Sequence, residues 1–220
     1  MEIREQTISK AWNRVLWKVL HAGQPIFIDD YGNTIELPET LTVMISDPIR
    51  DRICPDSGWE GIKLENYYQQ CITPSNEFGF SYTYGERLLS YNGINQVENN
   101  IDELKIDPAS RRAVSCTWKP NGDVQRAAHP PCMIFQQRII RDGKLNLIVY
   151  FRSQDMWGGW PNNLYMLSRW LEDDAKLLGV KPGSLTCVST NGHIYEHDIL
   201  TACQLIGEPE LWSQIKEMLK

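Results

Sequence analysis

The residues best suited to chemistry lie close together between positions 129 and 163. Cys132 follows Pro130 and Pro131, and proline both fixes its own φ and pushes the preceding residue toward extended geometry. We therefore expect the Cys132 thiol at a bend, where a sulfur is more accessible than in a core strand. Arg152, further along the chain, would favour the thiolate, which is the nucleophilic form of cysteine. Cys132 is thus the candidate nucleophile.

Cysteine is also among the most buried residue types, so a structural role is the alternative for any one thiol. The other five cysteines form no CxxC pair and lie in apolar or unremarkable surroundings, and we interpret them as core or incidental thiols: Cys54, Cys71, Cys116, Cys187 and Cys203. We expect no metal site.

Composition indicates one compact domain over residues 1–220, because neither the 42% hydrophobic nor the 23% charged fraction suggests disorder. The net charge of −6 argues against broad nucleic-acid binding, which needs a basic surface. An anionic small ligand would need a local arginine cluster, for which Arg111, Arg112 and Arg152 are candidates. No apolar run is long enough to span a bilayer, and unpaired cysteines suit a reducing compartment, so we expect a cytoplasmic protein without membrane contact.

Hydrophobic periodicity predicts helices and strands in alternation. Helical spacing is present from Met1 to Gly23 and from Asn163 to Leu178. The β-rich runs Ile26–Ile28 and Leu41–Ile45, with the turn signal Tyr31-Gly32-Asn33 between them, predict a hairpin. Further strands are predicted at 113–118, 133–140, 145–150 and 184–189, with Asp142-Gly143 as a tight turn. Cys132 would therefore begin a hairpin. The fold class is α+β, with one large, mainly antiparallel sheet flanked by helices.

Several short motifs occur together in a recognisable order. They are Asp107 to Arg112, Pro131-Cys132, Asp142 to Leu145, Arg152-Ser153, Asp155, Gly159, Pro161, Asn163 and His193-Ile194-Tyr195. In order and approximate spacing they resemble the thymidylate synthase family, over the span from Leu104 to Asp198. The short chain is most similar to the archaeal branch, and the resemblance implies that family's single-domain fold.

The resemblance implies a reaction as well. A thiolate adds to C6 of a pyrimidine nucleotide, so that C5 becomes nucleophilic enough to take a one-carbon unit. Cys132 would carry this step on deoxyuridylate (dUMP). The family resemblance implies that a methylene-carrying reduced pterin supplies the carbon and then a hydride, which gives thymidylate (dTMP). The pterin could be 5,10-methylenetetrahydrofolate or a methanopterin analogue.

Phosphate recognition is expected from arginines. Arg152 and Ser153 offer a forked cation and a hydroxyl, which suit a phosphate dianion, although a surface ion pair is the alternative for Arg152. Arg111 and Arg112 match arginines that reach the neighbouring subunit's phosphate in the family, so the resemblance implies a homodimer with shared active sites. Outside that resemblance, paired arginines are more often a solvated face.

Base and sugar recognition is expected from an amide and a strand. Asn163 can donate to one carbonyl and accept from the ring N–H of uracil, whereas a carboxylic side chain would suit cytosine. A helix cap is the alternative role for Asn163. His193 and Tyr195 match the pair that holds the sugar hydroxyl, and their alternation points both to one face of a strand. A lone histidine there would otherwise be a core residue. Asn191 could extend the ring contacts.

Two carboxylates complete the implied site. Asp155 matches the aspartate that the family uses toward the pterin. Glu65 is the candidate general acid/base that relays protons to the uracil carbonyl, with Glu60 and Glu77 as competitors.

Some positions depart from the family pattern. The segment where the family has an arginine-rich phosphate loop contains Asp29-Asp30, and Arg50 or Arg52 could replace the arginine. Met133 and Phe151 stand where the family has histidine and glutamine, and no counterpart of the carboxy-terminal lid follows Trp212.

A lid excludes water, and without it hydration to a hydroxymethyl group competes with hydride transfer. Trp157 and Trp160 could shield the site instead, with core packing as the alternative role for each. Two further functions are therefore open: a pyrimidine nucleotide hydroxymethylase (acting on dUMP or dCMP) on the same fold, and a noncatalytic nucleotide-binding homologue.

Overall fold

The computed structural model describes residues 1–77, 79–125 and 129–220. Its strands are β1 Glu2–Glu5, β2 Gln24–Ile28, β3 Gly32–Glu36, β4 Leu41–Ile45, β5 Val114–Cys116, β6 Met133–Arg141, β7 Lys144–Phe151, β8 Gln154–Asp155, β9 Lys181–Ser189 and β10 Gly192–Tyr195. Its helices are α1 Ile8–Ala22, α2 Gly61–Ile72, α3 Tyr84–Leu89, α4 Gln96–Ile106, α5 Pro120–Asp123, α6 Trp160–Leu177, α7 Glu196–Leu205 and α8 Leu211–Met218.

The larger sheet has six strands in the order β1-β4-β9-β7-β6-β5. The β1–β4 and β7–β9 pairs are parallel, and the other neighbours are antiparallel. Alternate residues of its central strands, such as Leu147 and Val149 on β7 and Leu185 and Cys187 on β9, are fully or almost fully buried. Helices α1 and α6 pack on this sheet, so its buried face forms the main core.

The opposite face of the six-stranded sheet, the outer face, remains partly exposed. Phe135 on β6 and Tyr150 on β7 are paired in register, and their rings stack at 5.6 Å with an interplanar angle of 4°. Other residues on this face lie beside that pair on the same and the neighbouring strands: Thr42, Met44, Val114, Ile139, Ile148, Thr186 and Val188. Val114, on the edge strand β5, is 44% exposed. Polar residues such as Arg4, Gln137 and Asn146 lie on the same face, so the outer face mixes apolar and polar side chains and is partly open to solvent.

The smaller sheet has four strands in the order β2-β3-β10-β8. Strands β2 and β3 form a hairpin at the predicted turn, but the predicted second strand, Leu41–Ile45, is β4 of the larger sheet. Strand β10 pairs antiparallel to β3, and β8 lies parallel to β10. The chain moves from the larger to the smaller sheet at Arg152-Ser153, between β7 and β8, and again between β9 and β10. Residues around these two crossings lie at the junction of the sheets.

The α+β class is confirmed, and the prediction of one large sheet is corrected to two. The antiparallel majority is not confirmed, because both sheets are mixed. Local alternation of apolar residues identifies a strand without specifying its partner. The crossing at Arg152-Ser153 lies between β7 and β8, so the period-2 pattern alone does not reveal it.

Helix α1 ends as predicted, with Gly23 at its C-cap, but it begins later than predicted. Glu2–Glu5 is a strand in which only Ile3 is buried, and Thr7 caps the helix by accepting from the Lys10 backbone N–H. Helix α6 begins at Trp160, with Pro161 in its first turn, so it starts before the predicted Asn163. Among the residues that the structure describes, none of the helices has the length and apolar character needed to cross a bilayer.

Candidate active site

Cys132 lies at a bend immediately before β6, as its two preceding prolines predicted. Its carbonyl oxygen accepts a hydrogen bond from the Arg152 backbone N–H at 2.9 Å. Arg152 directly follows β7, so the β6–β7 hairpin brings together two residues that are 20 positions apart in the chain. Local turn chemistry at Asp142-Gly143, where both residues have positive φ, therefore determines the relative placement of nucleophile and arginine.

The Arg152 side chain holds the segment that precedes the thiol. Its Nε donates to the Pro131 carbonyl at 3.0 Å, and its Nη2 donates to the Pro130 carbonyl at 2.8 Å. Burial raises the pKa of the Cys132 thiol above its usual value, while the Arg152 charge and a hydrogen bond from Tyr82 oppose that rise. The resting thiol is consequently protonated near neutral pH, with the guanidinium poised to favour its ionised form.

Tyrosine hydroxyls form a cluster around the nucleophile that the sequence analysis missed. Tyr82 accepts from the Cys132 backbone N–H at 3.3 Å, and Tyr84 accepts from the Met133 backbone N–H at 3.3 Å. Burial raises the pKa of Tyr82 to about 12 and that of Tyr84 well above its usual value, so both stay protonated. The sequence signal for these residues was the spacing Tyr82-x-Tyr84 at the start of α3. Tyr82 lies 50 positions from Cys132 in the chain, so this spacing alone did not connect it to the nucleophile.

Asn163 lies in the first turn of α6, one turn beyond the N-cap Gly159. Its backbone N–H donates to the Gly159 carbonyl at 3.1 Å, so the residue is inside the helix, and no side chain caps this helix. The Asn163 side-chain oxygen instead accepts from the Tyr67 hydroxyl at 2.6 Å. The helix-cap alternative for the Asn163 side chain is therefore wrong, because the amide oxygen binds Tyr67 and caps no backbone N–H of the helix.

His193 and Tyr195 lie on β10 with their rings 5.0 Å apart, on one face as the alternation predicted. His193 Nδ1 lies 3.0 Å from the Asn191 side-chain oxygen, and His193 pairs in register with Glu36 and Asp155 on the flanking strands. Burial lowers the pKa of His193, although the two carboxylates oppose this. The imidazole is therefore neutral near pH 7.

Glu36 is a second residue that the sequence analysis missed. Glu36 is 9% exposed, and its carboxylate accepts hydrogen bonds from the Thr34 hydroxyl at 2.9 Å and from the Asn191 side-chain amide. Tyr195 lies close enough to Asp155, Cys132 and Glu36 for their charges to add to the effect of burial, which raises its pKa to about 12. Both sheets thus contribute to one polar cluster beside Cys132.

Asp155 shapes the turn that leads into α6. Its Oδ1 accepts from the backbone N–H groups of Trp157 at 2.9 Å and Gly158 at 3.1 Å. A Cβ atom at Gly158 would lie 2.8 Å from the other carboxylate oxygen, so glycine permits the close approach. The predicted contact of Asp155 with a pterin stays a prediction.

Ser153 and the paired arginines occupy different surroundings. Ser153 is partly buried at the crossing between β7 and β8, next to Arg152. Arg111 and Arg112 are exposed and precede the edge strand β5, and Arg112 Nη2 pairs with Glu103 at 2.9 Å. Their role across a dimer interface stays a prediction.

The structure gives the prediction of Glu65 as general acid/base no support. Glu65 pairs with Arg169 at 3.0 Å and accepts from Gln69 at 2.8 Å, and hydrogen bonds from both hold the pKa of its carboxyl below the usual value. On α2 it is two positions, about 200°, from Tyr67, so these side chains leave opposite faces of the helix. The competitors Glu60 and Glu77 are both exposed.

The suggested replacements for the missing phosphate arginine are engaged elsewhere. Arg52 pairs with Glu172 of α6 at 2.8 Å, and Arg50 pairs with Asp47 at 3.5 Å. The two tryptophans that could exclude water are core residues: Trp160 is fully buried, and Trp157 packs on Trp12 with ring centroids 5.3 Å apart.

A cavity of about 570 Å³ adjoins the Tyr82 and Tyr84 side chains. Its walls are mostly aromatic and polar: Trp59, Lys63, Asn66, Tyr67, Gln70, Cys71, Phe80, Ser81, Tyr82, Thr83, Tyr84 and His129. Tyr82 joins the cavity to Cys132, and Tyr67 joins it to Asn163. Aromatic walls with a few polar groups suit a flat heteroaromatic ring. Residues 1–77, 79–125 and 129–220 contain no group of three or more histidine, cysteine or acidic side chains that could hold a metal ion.

Comparison with known proteins gives one consistent result. The family model described as thymidylate synthase matches residues 44–216. A "Putative thymidylate synthase" of Methanosarcina mazei is 43% identical over 197 residues, which cover 89% of this chain and 90% of the relative. A protein of the same description from Methanococcoides burtonii is 37% identical over 219 residues, covering 99% of this chain and 94% of the relative. The chain therefore belongs to the thymidylate synthase family, in its short archaeal form.

Proposed function

We propose that this protein is a methyltransferase that converts dUMP to dTMP with a methylene-carrying reduced pterin, through a covalent adduct at Cys132. One observation carries the proposal. A thiol at a bend, a guanidinium that favours its ionised form and an amide that is hydrogen-bonded to Tyr67 meet beside an aromatic cavity. These groups supply a nucleophile, a base reader and space for a second, planar substrate.

Cys132 begins the reaction by losing its proton and forming a sulfur–carbon bond at C6 of the uracil ring. The electron pair then moves to C5 and the adjacent carbonyl, so that C5 can attack a one-carbon unit. The pterin supplies that carbon at the oxidation level of formaldehyde and, in a later step, one hydride, and it leaves as the dihydro form. Loss of the C5 proton would free the one-carbon unit from its donor as a methylene on C5, with Cys132 still bonded to C6. Addition of the hydride to that methylene would complete the methyl group and expel the Cys132 thiolate, which restores the C5–C6 double bond.

Arg152 serves this chemistry in two ways. Its Nε and Nη2 fix the backbone of Pro130 and Pro131, which sets the position of the thiol. Its remaining nitrogen and the neighbouring Ser153 hydroxyl would bind the nucleotide phosphate. His193 and Tyr195 would hold the sugar hydroxyl, since a neutral imidazole and a protonated phenol both provide N–H or O–H donors at working pH.

A homodimer with shared sites is part of the proposal. The outer face carries partly exposed apolar side chains that a second copy could cover, and Phe135 and Tyr150 stack among them. The exposed Arg111 and Arg112 precede β5 at the edge of that face, so they could extend toward a partner's phosphate site. The six cysteines are all unpaired, which supports a cytoplasmic location.

The cavity is the proposed site for the pterin, and the family resemblance makes Asp155 a candidate contact for it. Trp59, Tyr67 and Tyr82 offer ring faces, and Lys63 lies 4.1 Å from the centre of the Trp59 ring. Folate and methanopterin share the planar head group that such walls would stack against. The choice between them depends on tails that extend beyond these residues.

The proposal is tested by product analysis with both pterins. Purified protein incubated with dUMP and either methylene donor should release dTMP and one dihydropterin per turnover. Cys132→Ser should lower turnover by more than about a thousandfold, because a hydroxyl is a much weaker nucleophile, while dUMP binding measured by calorimetry changes little. Cys116→Ser, at an exposed cysteine outside the cluster, is the matched control.

The other outcomes are equally informative. A hydroxymethylated nucleotide as product would replace the proposal with the hydroxymethylase. Binding of dUMP without any turnover would indicate a noncatalytic homologue. Near-normal turnover by Cys132→Ser would remove the covalent mechanism.

A further inference from the structure

Tyr67 makes a contact that no sequence motif assigned. It lies on the cavity-facing side of α2, and its hydroxyl donates to the Asn163 side-chain oxygen at 2.6 Å across 96 positions of the chain. The neighbouring Tyr68 differs, because its hydroxyl bonds Asp173 instead. Tyr67 is therefore the α2 tyrosine that contacts the proposed base reader.

We propose that Tyr67 is a specificity-determining positioning residue: its hydroxyl locks the Asn163 carboxamide in the orientation that selects uracil and rejects cytosine. The inference rests on the proposed function, in which Asn163 reads the pyrimidine. Tyr67 acts through Asn163 rather than on the reacting atoms.

The lock follows from amide geometry. The oxygen and nitrogen of a carboxamide diverge from one carbon, so a hydrogen bond that fixes the oxygen also fixes the nitrogen. With Tyr67 donating to the Asn163 oxygen, the amide N–H groups are directed elsewhere and can meet a ring carbonyl, while the oxygen's second lone pair can accept from a ring N–H. Uracil offers that carbonyl and that N–H. Cytosine offers an amine and an unprotonated nitrogen, so both of its groups are mismatched.

The Tyr67 hydroxyl is held in the donor state. Burial raises the pKa of Tyr67 well above its usual value, and the pKa of Cys71, one helical turn away and hydrogen-bonded to the phenol, is also raised by burial. Both groups thus carry their protons at neutral pH. An amide oxygen is a stronger acceptor than a thiol sulfur, so the phenol proton goes to Asn163. A protonated phenol keeps the same direction of donation throughout the working pH range.

The test compares substrate preference rather than rate alone. We would measure kcat/KM for dUMP and for the cytosine nucleotide dCMP, together with equilibrium binding of each. Tyr67→Phe keeps the ring and removes the lock, so the preference for dUMP should fall by at least about fivefold, which corresponds to about 1 kcal/mol, the usual net value of one hydrogen bond. Tyr68→Phe makes the same chemical change one position away and should leave the preference within about twofold.

A double variant isolates the route of action. In an Asn163→Ala background no amide remains to be locked, so adding Tyr67→Phe should leave the preference unchanged. Should Tyr67→Phe not fold, 4-fluorophenylalanine at position 67 keeps the ring and fills the space of the hydroxyl with an atom that cannot donate. The preference for dUMP should then fall by the same factor as expected for Tyr67→Phe.

The outcomes separate this inference from the proposed function. Unchanged preference in folded Tyr67→Phe, or the same loss with and without Asn163, overturns the positioning role while dUMP turnover stands. With 4-fluorophenylalanine at position 67, an unchanged preference has the same meaning. A wild-type protein that neither binds nor converts dUMP overturns the proposed function and this inference together.

Discussion

Replacing Arg152 by glutamine should slow every reaction of the Cys132 thiolate. Arg152 carries a charge that lowers the pKa of Cys132 against the larger, raising effect of burial. A nearby opposite charge typically shifts a pKa by about 1 to 3 units. One edge of the guanidinium is committed to the Pro130 and Pro131 carbonyls, so we expect the lower end of that range. Arg152→Gln should raise the Cys132 pKa further and reduce the thiolate fraction about tenfold at neutral pH.

Alkylation by iodoacetamide, followed for the Cys132 peptide by mass spectrometry across a pH series, measures this directly. Because the Cys132 pKa is already raised, the wild-type rate should still be rising above pH 9, and the variant curve should be displaced to higher pH. The exposed Cys116 provides an internal reference for the reagent in both proteins. Arg152→Lys is the matched control, since it keeps the charge and loses the fork.

The two variants distinguish charge from position. If electrostatics dominates, Arg152→Lys retains most of the wild-type profile and only Arg152→Gln shifts. If the hydrogen bonds to the proline carbonyls dominate, both variants change alike. An Arg152→Gln profile that coincides with that of the wild-type protein would refute the assignment of Arg152 to the thiolate.

Three further predictions concern the dimer, the base and the core. Mixed Cys132→Ser and Arg112→Ala chains should regain about a quarter of the wild-type active sites, because half of the random pairs carry one complete site; verified mixing without activity would exclude shared sites. Asn163→Asp should shift relative kcat/KM toward dCMP by at least about tenfold, since a carboxyl oxygen accepts from the cytosine amine, and unchanged ratios would remove Asn163 as the base reader. Asp174→Asn should destabilise the fold by about 3 kcal/mol or more, because Arg138, bonded to Asp174 at 2.7 Å and fully buried, would keep an unpaired charge; urea unfolding measures this, and a change below about 1 kcal/mol would contradict it.

Features set by neighbouring residues could be predicted from the sequence. Gly23 ends α1, Asp142-Gly143 turns β6 into β7, and two prolines place Cys132 at a bend. Each depends on backbone preferences that act over a few positions. The predicted helix at Met1 failed because a short strand with one buried isoleucine lacks a period long enough to distinguish it from a helix.

Features set by distant residues could not be predicted in the same way. The contact of Tyr67 with Asn163 and that of Tyr82 with Cys132 join positions 96 and 50 apart. No local pattern encodes such pairs, and a tyrosine in an amphipathic helix reads as core. Glu65 was chosen by its type and neighbourhood, yet the helical rotation that turns Tyr67 to the cavity turns Glu65 toward Arg169.

The β6–β7 hairpin connects the candidate active site to the outer face of the six-stranded sheet. Cys132 precedes its first strand and Arg152 follows its second, while Phe135 and Tyr150 of the same strands stack on the outer face. Any molecule seated on that face would press on the two strands that fix the spacing between thiol and guanidinium. If a second copy covers the outer face, as proposed, it would help to hold the thiol and the guanidinium at their observed spacing. Dilution that separates the copies would then loosen the spacing of Cys132 and Arg152 while helices and sheets remain intact.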